Sequence, residues 1–332
     1  MTVQTKKMTI LAAVNEALTE AMAADPKIIV LGEDVADREG GGVVGVTKGL
    51  STAYGDERVK STPISEQAII GAAIGAAING YKPVAEIMLM NFTTICMDMI
   101  TNHAAKLRYM SGGQTTVPIV IRTFTGGGFS SGGQHSDFLE AWFAHTPGLK
   151  VVAPSNAADA KVLLRAAIDD PDPVIFIECG RAYMSASEVP SEQVIEPLGK
   201  AKVLREGSDI TIVSYSEIVV RALAAAVELE KEGISAEVID LRTISPWDRE
   251  TVLASVRKTG RALIAHEAVR AFGVGAEIAA TIQEEAFSAL KGPVKRLGAP
   301  YAPVPFAAVL EQAYVVSATQ IADAARAAVK GN

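Results

Sequence analysis

Glu66 and His135 are the two residues in this 332-residue chain whose types and surroundings suit proton transfer. Glu66 ends the run Ser61-Thr62-Pro63-Ile64-Ser65-Glu66. It opens a stretch, Ala68 to Ile78, that reads AIIGAAIGAAI, apolar or glycine at every helical angle. A helix of that composition has no solvent face and is expected to be buried. It is too short to span a bilayer, which takes about twenty residues. Pro63 sets an extended or turn conformation just before it, and a carboxylate in the first turn complements the positive end of the helix dipole. Glu66 therefore has two readings. It is either a first-turn surface glutamate, or a carboxyl carried inward, held neutral by apolar surroundings and able to donate a hydrogen bond to a ring nitrogen. The absence of a polar face on its helix weighs towards the second. Gly71 and Gly75, four apart, would let another helix approach closely.

His135 ends the loop Gly126-Gly127-Gly128-Phe129-Ser130-Ser131-Gly132-Gly133-Gln134-His135-Ser136, ahead of a helix carrying Glu140, Ala141, Trp142 and Phe143. A glycine-rich loop of this length in a compact domain reads as functional. A histidine taken alone is more often structural, yet an accessible imidazole at a helix entrance titrates near neutrality and suits proton transfer. Met88, Met90 and Phe92 gather at the end of a strand, where they either pack the core or clasp a flat ring. His103 and His145 have no partner at metal-ligand spacing, so we assign no transition-metal site.

These residues need a scaffold, and the chain supplies strands and helices in alternation. Met8 to Ala23 is an amphipathic helix, and Ile28 to Leu31 a buried strand closed by Gly32-Glu33-Asp34 at what would be the carboxyl edge of a parallel sheet. Further strands are expected at 83–89, 118–123, 149–153 and 173–178, with helices from Asn91 to about Met110 and from Ala157 to Ile168. Residues 38–45 (REGGGVVG) lack GxGxxG or a following Lys-Ser/Thr pair and read as a flexible loop. Residues 180–200 lose periodicity and read as a linker. A second alternation follows: strands at 210–215, 236–241, 262–266 and 294–297, and helices at 218–232, 247–259, 274–290 and 318–329. The fold class is α/β, with a parallel sheet in an amino-terminal domain, 1–190, and a smaller carboxyl-terminal α/β domain, 191–332. Asp240-Leu241-Arg242 and His266-Glu267 fall at strand ends, as ligand groups or, on our preferred reading, as interdomain or subunit contacts. No GxSxG elbow supports a hydrolase.

Composition narrows the class. A net charge of −7 without a basic run argues against nucleic acid as the main partner. Cys96 and Cys179 are too few for a disulfide framework, and the amino terminus MTVQTKKMTI has no signal-peptide core. We expect a cytoplasmic protein with no membrane association.

TPISEQ with Glu66, Asn91-Phe92 just beyond Met88, Gly133-Gln134-His135-Ser136, HTPGLKVVAPS (145–155) and APYAPVPF (299–306) together resemble one family over nearly the whole chain. It is the beta subunit of the thiamine diphosphate-dependent dehydrogenase component of 2-oxo acid and acetoin dehydrogenase complexes. The resemblance implies a pyrimidine-binding amino-terminal domain and a transketolase-type carboxyl-terminal domain. It places Glu66 at the family's cofactor-activating glutamate, which hydrogen-bonds a pyrimidine nitrogen and favours the imino tautomer that removes the thiazolium proton. It places Ile64, Met88 and Phe92 around the pyrimidine, and His135 at the histidine that assists proton transfer and reductive acylation of a lipoyl group. A potassium ion held by backbone carbonyls would fall at Ile119, Ala167, Ile168, Asp170 and Asp172. The family's magnesium motif, beginning Gly-Asp-Gly, is absent here and belongs to an alpha subunit. The resemblance thus implies a heterotetramer of two alpha and two beta chains, serving a lipoyl-bearing acyltransferase, with pyruvate, another 2-oxo acid or acetoin as substrate. The alternatives are the carboxyl-terminal half of a split transketolase, which would need a phosphate clamp that Arg122 and Arg181 do not obviously make, and a scaffolding subunit that has lost the chemistry.

Overall fold

A computed structural model describes residues 4–191, 194 and 196–331. Met1 to Val3 of the amino terminus, and Glu192, Gln193 and Ile195 of the segment read as a linker, lie outside the described residues, as does Asn332. The chain divides into two compact units, Met1–Thr125 with Trp142–Leu198, and Gly126–Ala141 with Gly199–Asn332.

The first unit contains β1 (Thr5–Thr9), β2 (Ile28–Gly32), β3 (Val59–Ser61), β4 (Lys82–Leu89), β5 (Val120–Thr125), β6 (Lys150–Val152), β7 (Val174–Cys179) and β8 (Ala186–Pro190). Strands β2 to β7 run parallel in the order β6-β7-β5-β4-β2-β3. Both β2 and β7 are buried at every residue, which is why they read as continuous apolar runs. Helices Ile10–Ala24 and Ala157–Asp169 pack together, and both start on side-chain caps. Thr9 accepts from the Ala12 amide, and Asn156 from the Asp159 amide.

Several expectations need correction. The segment read as a linker contains β8, which pairs antiparallel with β1; only Val189 of β8 is buried, too little apolar signal to mark a strand. The helix expected from Asn91 to Met110 is interrupted. A 3₁₀ turn, Met90–Cys96, precedes a π-helical turn, Met99–Ala104, and only Ala105–Met110 is α-helical. Thr93 and Thr94 hydroxyls donate back to the carbonyls of Met90 and Asn91, which tightens the first turn. The helix Glu66–Ile78 packs Ile69, Ile70, Ala73, Ile74 and Ala77 inward, but Ala68, Ala72 and Ile78 are exposed. It therefore has an apolar face open to solvent in this chain, with Gly71 and Gly75 half-buried along its border.

The second unit contains β9 (Lys202–Arg205), β10 (Ile210–Ser214), β11 (Ala236–Asp240), β12 (Thr243–Ser245), β13 (Ala262–Val269) and β14 (Lys295–Ala299). Its five-stranded sheet has the order β14-β13-β10-β11-β9 and is parallel except for β9. Helices Ile218–Glu230 and Ala318–Lys330 bury Ala222, Ala226, Ile321 and Ala325 against Ile212, Val238 and Leu263. On the opposite side of β10, Thr211 meets the hydroxyls of Ser255 and Thr259 at 2.6 and 2.9 Å, docking the helix Arg249–Thr259. No helix among the described residues is long and apolar enough to cross a membrane.

Candidate active site

Strands β4, β2 and β3 are adjacent and parallel, so whatever follows each of them emerges at one edge of the sheet. Glu33 follows β2, Thr62 to Glu66 follow β3, and Met88 to Phe92 close β4. The Thr62 amide donates to the Gly32 carbonyl at 2.9 Å and ties two of these segments together. Glu66 opens its helix with only 5% of its surface exposed, whereas Ile64, two residues earlier, is 84% exposed. The edge therefore joins a sheltered carboxyl to a projecting aliphatic side chain. Met88 and Phe92 are half-buried there, while Met90 belongs wholly to the core.

Electrostatics identify what else shares the edge. Burial, and then the charge of Glu66, push the Glu33 carboxyl above the usual carboxylate range, although the Ser65 amide opposes this; among the described residues Glu33 Oε1 has no hydrogen-bond partner. The Cys96 thiol is pushed up to about 12 by burial and by Glu66. Glu33 is a site candidate to which sequence reasoning gave no role. Its available signal was an acid placed immediately after a buried strand at the carboxyl edge.

A cavity of about 90 Å³ opens beside β4, lined by Met88, Leu89, Phe124 and the loop residues Val43 and Val44. Its polar wall is a buried ion network. Arg122 gives Nη1 to Glu86 at 2.7 Å and Nε and Nη2 to Glu178 at 2.7 and 2.8 Å, and the Tyr183 hydroxyl donates to Glu178 at 2.5 Å. Burial raises Glu86 despite the facing guanidinium. Arg122 is thus committed to carboxylates rather than available as a phosphate clamp. The segments flanking the loop 38–45 are tied together at Asp37. Asp37 accepts from the Thr52 hydroxyl at 2.5 Å, from the amides of Gly49 and Thr52 at 2.5 and 2.8 Å, and from Ser51 Oγ at 3.0 Å. Those bonds, the Thr52 hydroxyl first, hold its carboxyl at about 2.

His135 belongs to the second unit, on the single helical turn Gly133–Ser136, with its ring exposed. Its loop is secured from beneath. The Gly127 amide donates to Glu267 Oε1 at 2.9 Å and the Ser130 amide to Glu311 Oε2 at 2.9 Å. Beyond the turn, Tyr215 donates to Glu140 Oε1 at 2.7 Å, and its ring stacks on His266 with centroids 6.1 Å apart. Burial lifts Glu140 to about 7, with the charge of Glu267 adding to it and the Tyr215 bond opposing it. Burial lowers His266 to about 4, although its Nδ1 lies 3.0 Å from the Ala268 carbonyl. Asp240, Arg242, His266 and Glu267 are all buried.

Of the five residues expected around a potassium ion, Ala167 and Ile168 lie in the last turn of the helix Ala157–Asp169, Asp170 and Asp172 follow it, and Ile119 precedes β5. The Ile119 carbonyl accepts from Val174 at 2.9 Å and that of Ala167 from Asp170 at 3.3 Å. Lys150 reaches both Asp170 carboxylate oxygens at 2.7 and 2.6 Å, and Arg108 takes Asp172 at 2.6 Å. Among the described residues no group of three or more His, Cys, Asp or Glu is placed to hold a metal ion. Any cation here would rest on carbonyls.

The edge fits a flat, nitrogen-containing ring: one sheltered carboxyl for a ring nitrogen, and aliphatic, thioether and aromatic surfaces for the faces. Residues 6–185 match the family described as the transketolase pyrimidine binding domain, and residues 199–321 the transketolase C-terminal domain. Fold and edge define a transketolase-type chain of two α/β domains. The chain is 48% identical to the beta subunit of acetoin:2,6-dichlorophenolindophenol oxidoreductase of Cupriavidus necator, over 98% of both. It is also 48% identical to mitochondrial pyruvate dehydrogenase E1 component subunit beta-1 of Arabidopsis thaliana, over 97% of this chain and 88% of the relative. A solved split-gene transketolase, an inactive beta4 tetramer, superposes with a TM-score of 0.81 at 26% identity, covering 98% of this chain and 99% of the other. The chain belongs to the family of beta subunits of pyruvate and acetoin dehydrogenase E1 components, as its motif order led us to expect.

Proposed function

We propose that this chain is the beta half of a thiamine diphosphate-dependent dehydrogenase. With an alpha subunit it cleaves pyruvate, another 2-oxo acid or acetoin, and passes the acyl group to lipoamide. The observation that carries this reading is Glu66, a sheltered carboxyl at the start of a helix on the shared edge of β2, β3 and β4, beside an exposed Ile64. Thiamine diphosphate, when bound, supplies a carbon nucleophile for the ketone carbonyl. This chain's own residues prepare that chemistry. Glu66 holds a proton at a pyrimidine nitrogen, Ile64, Met88 and Phe92 grip the ring, and His135 moves a proton during acyl transfer to the lipoyl sulfur.

The rest of the assembly follows from what the chain lacks. Without Gly-Asp-Gly, and with Arg122 engaged by Glu86 and Glu178, the chain leaves the diphosphate and its magnesium to the alpha subunit. The reading extends to a heterotetramer of two alpha and two beta chains, a lipoyl-bearing acyltransferase partner and a cytoplasmic location. It includes potassium on the carbonyls of Ile119, Ala167, Ile168, Asp170 and Asp172.

The test is a decarboxylation and acetoin-cleavage assay of this chain with and without its alpha subunit, given thiamine diphosphate, magnesium and an artificial electron acceptor. Activity in the mixture alone supports the reading and names the substrate. Silence with every 2-oxo acid and with acetoin, from a stable complex, refutes it.

A further inference from the structure

The loop that carries His135 is rich in glycine and has few side chains of its own with which to hold a conformation. Two carboxylates from distant parts of the second unit take up its backbone at two points. Glu267, on β13, accepts from the Gly127 amide at 2.9 Å. Glu311, in the helix Ala308–Tyr314, accepts from the Ser130 amide at 2.9 Å. Both are sheltered, Glu267 being 5% and Glu311 2% exposed. Hydrogen bonds from amides to buried carboxylates are stronger than neutral ones. Glu311 Oε1 has no partner among the described residues, and the Ser130 amide bonds its Oε2.

The neighbouring geometry shows that the loop is pressed against its supports. A Cβ at Gly127 would stand 3.3 Å from Val315 and 3.5 Å from Glu311 Oε1, and one at Gly132 would stand 2.9 Å from the Phe306 ring. Ser130 adopts a φ of 54°, a left-handed conformation that a non-glycine residue keeps only where surrounding bonds enforce it. The strained residue is the one whose amide Glu311 takes.

We propose that Glu267 and Glu311 are positioning residues that set the His135 loop by clasping its backbone at Gly127 and Ser130. The proposal rests on the reading of His135 as the group that serves lipoyl acylation. It assigns no contact with substrate to either glutamate.

Amide hydrogen exchange of the loop, measured on the full-length chain, tests the clasp directly. Replacing either glutamate with alanine should speed exchange at 127–135 by about tenfold or more, the order of a lost charged hydrogen bond. Glu267→Gln and Glu311→Gln keep an accepting oxygen without its charge and should give exchange between the wild-type and alanine rates. In the assembled enzyme the alanine variants should lose about tenfold in lipoyl acylation, with a smaller loss in the artificial-acceptor assay. The glutamine variants should restore part of the acylation. Should an alanine variant fail to fold, Glu311→Asp keeps the charge, withdraws the carboxylate by one methylene and should still accelerate exchange. Unchanged exchange in folded alanine or aspartate variants overturns the clasp. Faster exchange with unaltered acylation overturns the positioning role. Wild-type silence in the acylation assay overturns the function assigned to His135 and not the clasp, which the exchange rates report independently.

Discussion

Tyr215, just past the end of β10, donates its phenolic proton across 2.7 Å to Glu140, a residue 75 positions earlier in the chain. The same ring stacks on His266. A carboxyl lifted to about 7 and an imidazole lowered to about 4 thus share one buried aromatic wall.

Their pH linkage has opposite signs. Glu140 keeps its proton in the folded chain, so its contribution is present below its unfolded value of 4.5 and is lost as pH rises to about 7. His266 stays neutral when folded, so its contribution is present above 6.5 and is lost as pH falls to about 4. Across the overlap the two slopes offset one another. Denaturation midpoints measured between pH 4.5 and 6.5 should therefore fall more steeply on acidification in Glu140→Gln than in wild type. His266→Asn should shift the slope the other way. The change should approach 1.4 kcal/mol per pH unit at most, roughly the linkage of one proton. Identical slopes in all three proteins would refute these protonation states.

For Glu66→Gln we expect the activity of the assembled enzyme to fall by roughly 10²–10⁴, the range for loss of a proton-transfer catalyst, with the fold intact. Exchange of the cofactor's thiazolium proton, followed by NMR, is the decisive readout. A near-normal rate there removes Glu66 from the role given to it.

For His135→Ala, lipoyl acylation should suffer more than cofactor binding. Stopped-flow acylation of a lipoyl domain, set beside a thiamine diphosphate titration, separates the two. Equal acylation rates in variant and wild type would take His135 out of the mechanism.

Arg122 neutralises Glu86 and Glu178 in the interior, and Arg122→Met would leave both without it. Breaking one side of a buried ion network costs about 3–5 kcal/mol. Glu86, already raised by burial, would rise further in the variant, so stability should be retained at low pH and lost as pH increases. Urea denaturation at pH 5 and pH 8 would show it, and a variant equally stable at both would contradict the assignment.

Gly275 lies against His266: a Cβ there would stand 2.7 Å from Nε2 and 2.9 Å from Cδ2. Gly275→Ala should lower stability by about 1–3 kcal/mol, as overpacking does. Pairing it with His266→Ala should return part of the loss, and a thermal melt of the double variant decides the point.

What the sequence makes legible follows the range of the interactions involved. The buried parallel strands β2 and β7 are readable as apolar runs. An inward turn of Glu66 is expected from a helix buried all round, and the carboxyl is sheltered although one side of that helix is open. The exposed half of that helix is not readable, because alanine and glycine look the same whether they face a core or nothing. Strand β8 hides in a polar stretch, since pairing with β1 satisfies its backbone while burying only Val189. The supports of the His135 loop lie 140 and 181 residues further along, beyond any local pattern. The roles of Ile64, Met88 and Phe92 come from family resemblance; physical reasoning places them at an edge.

The open side of the helix Glu66–Ile78 leaves apolar surface on the isolated chain. A chain released from the ribosome with Ile64, Ala68, Ala72 and Ile78 facing water shows the cell the kind of apolar surface that chaperones and proteases read as unfinished folding. Polar replacements at Ala72 and Ile78 should therefore reduce self-association of the isolated chain.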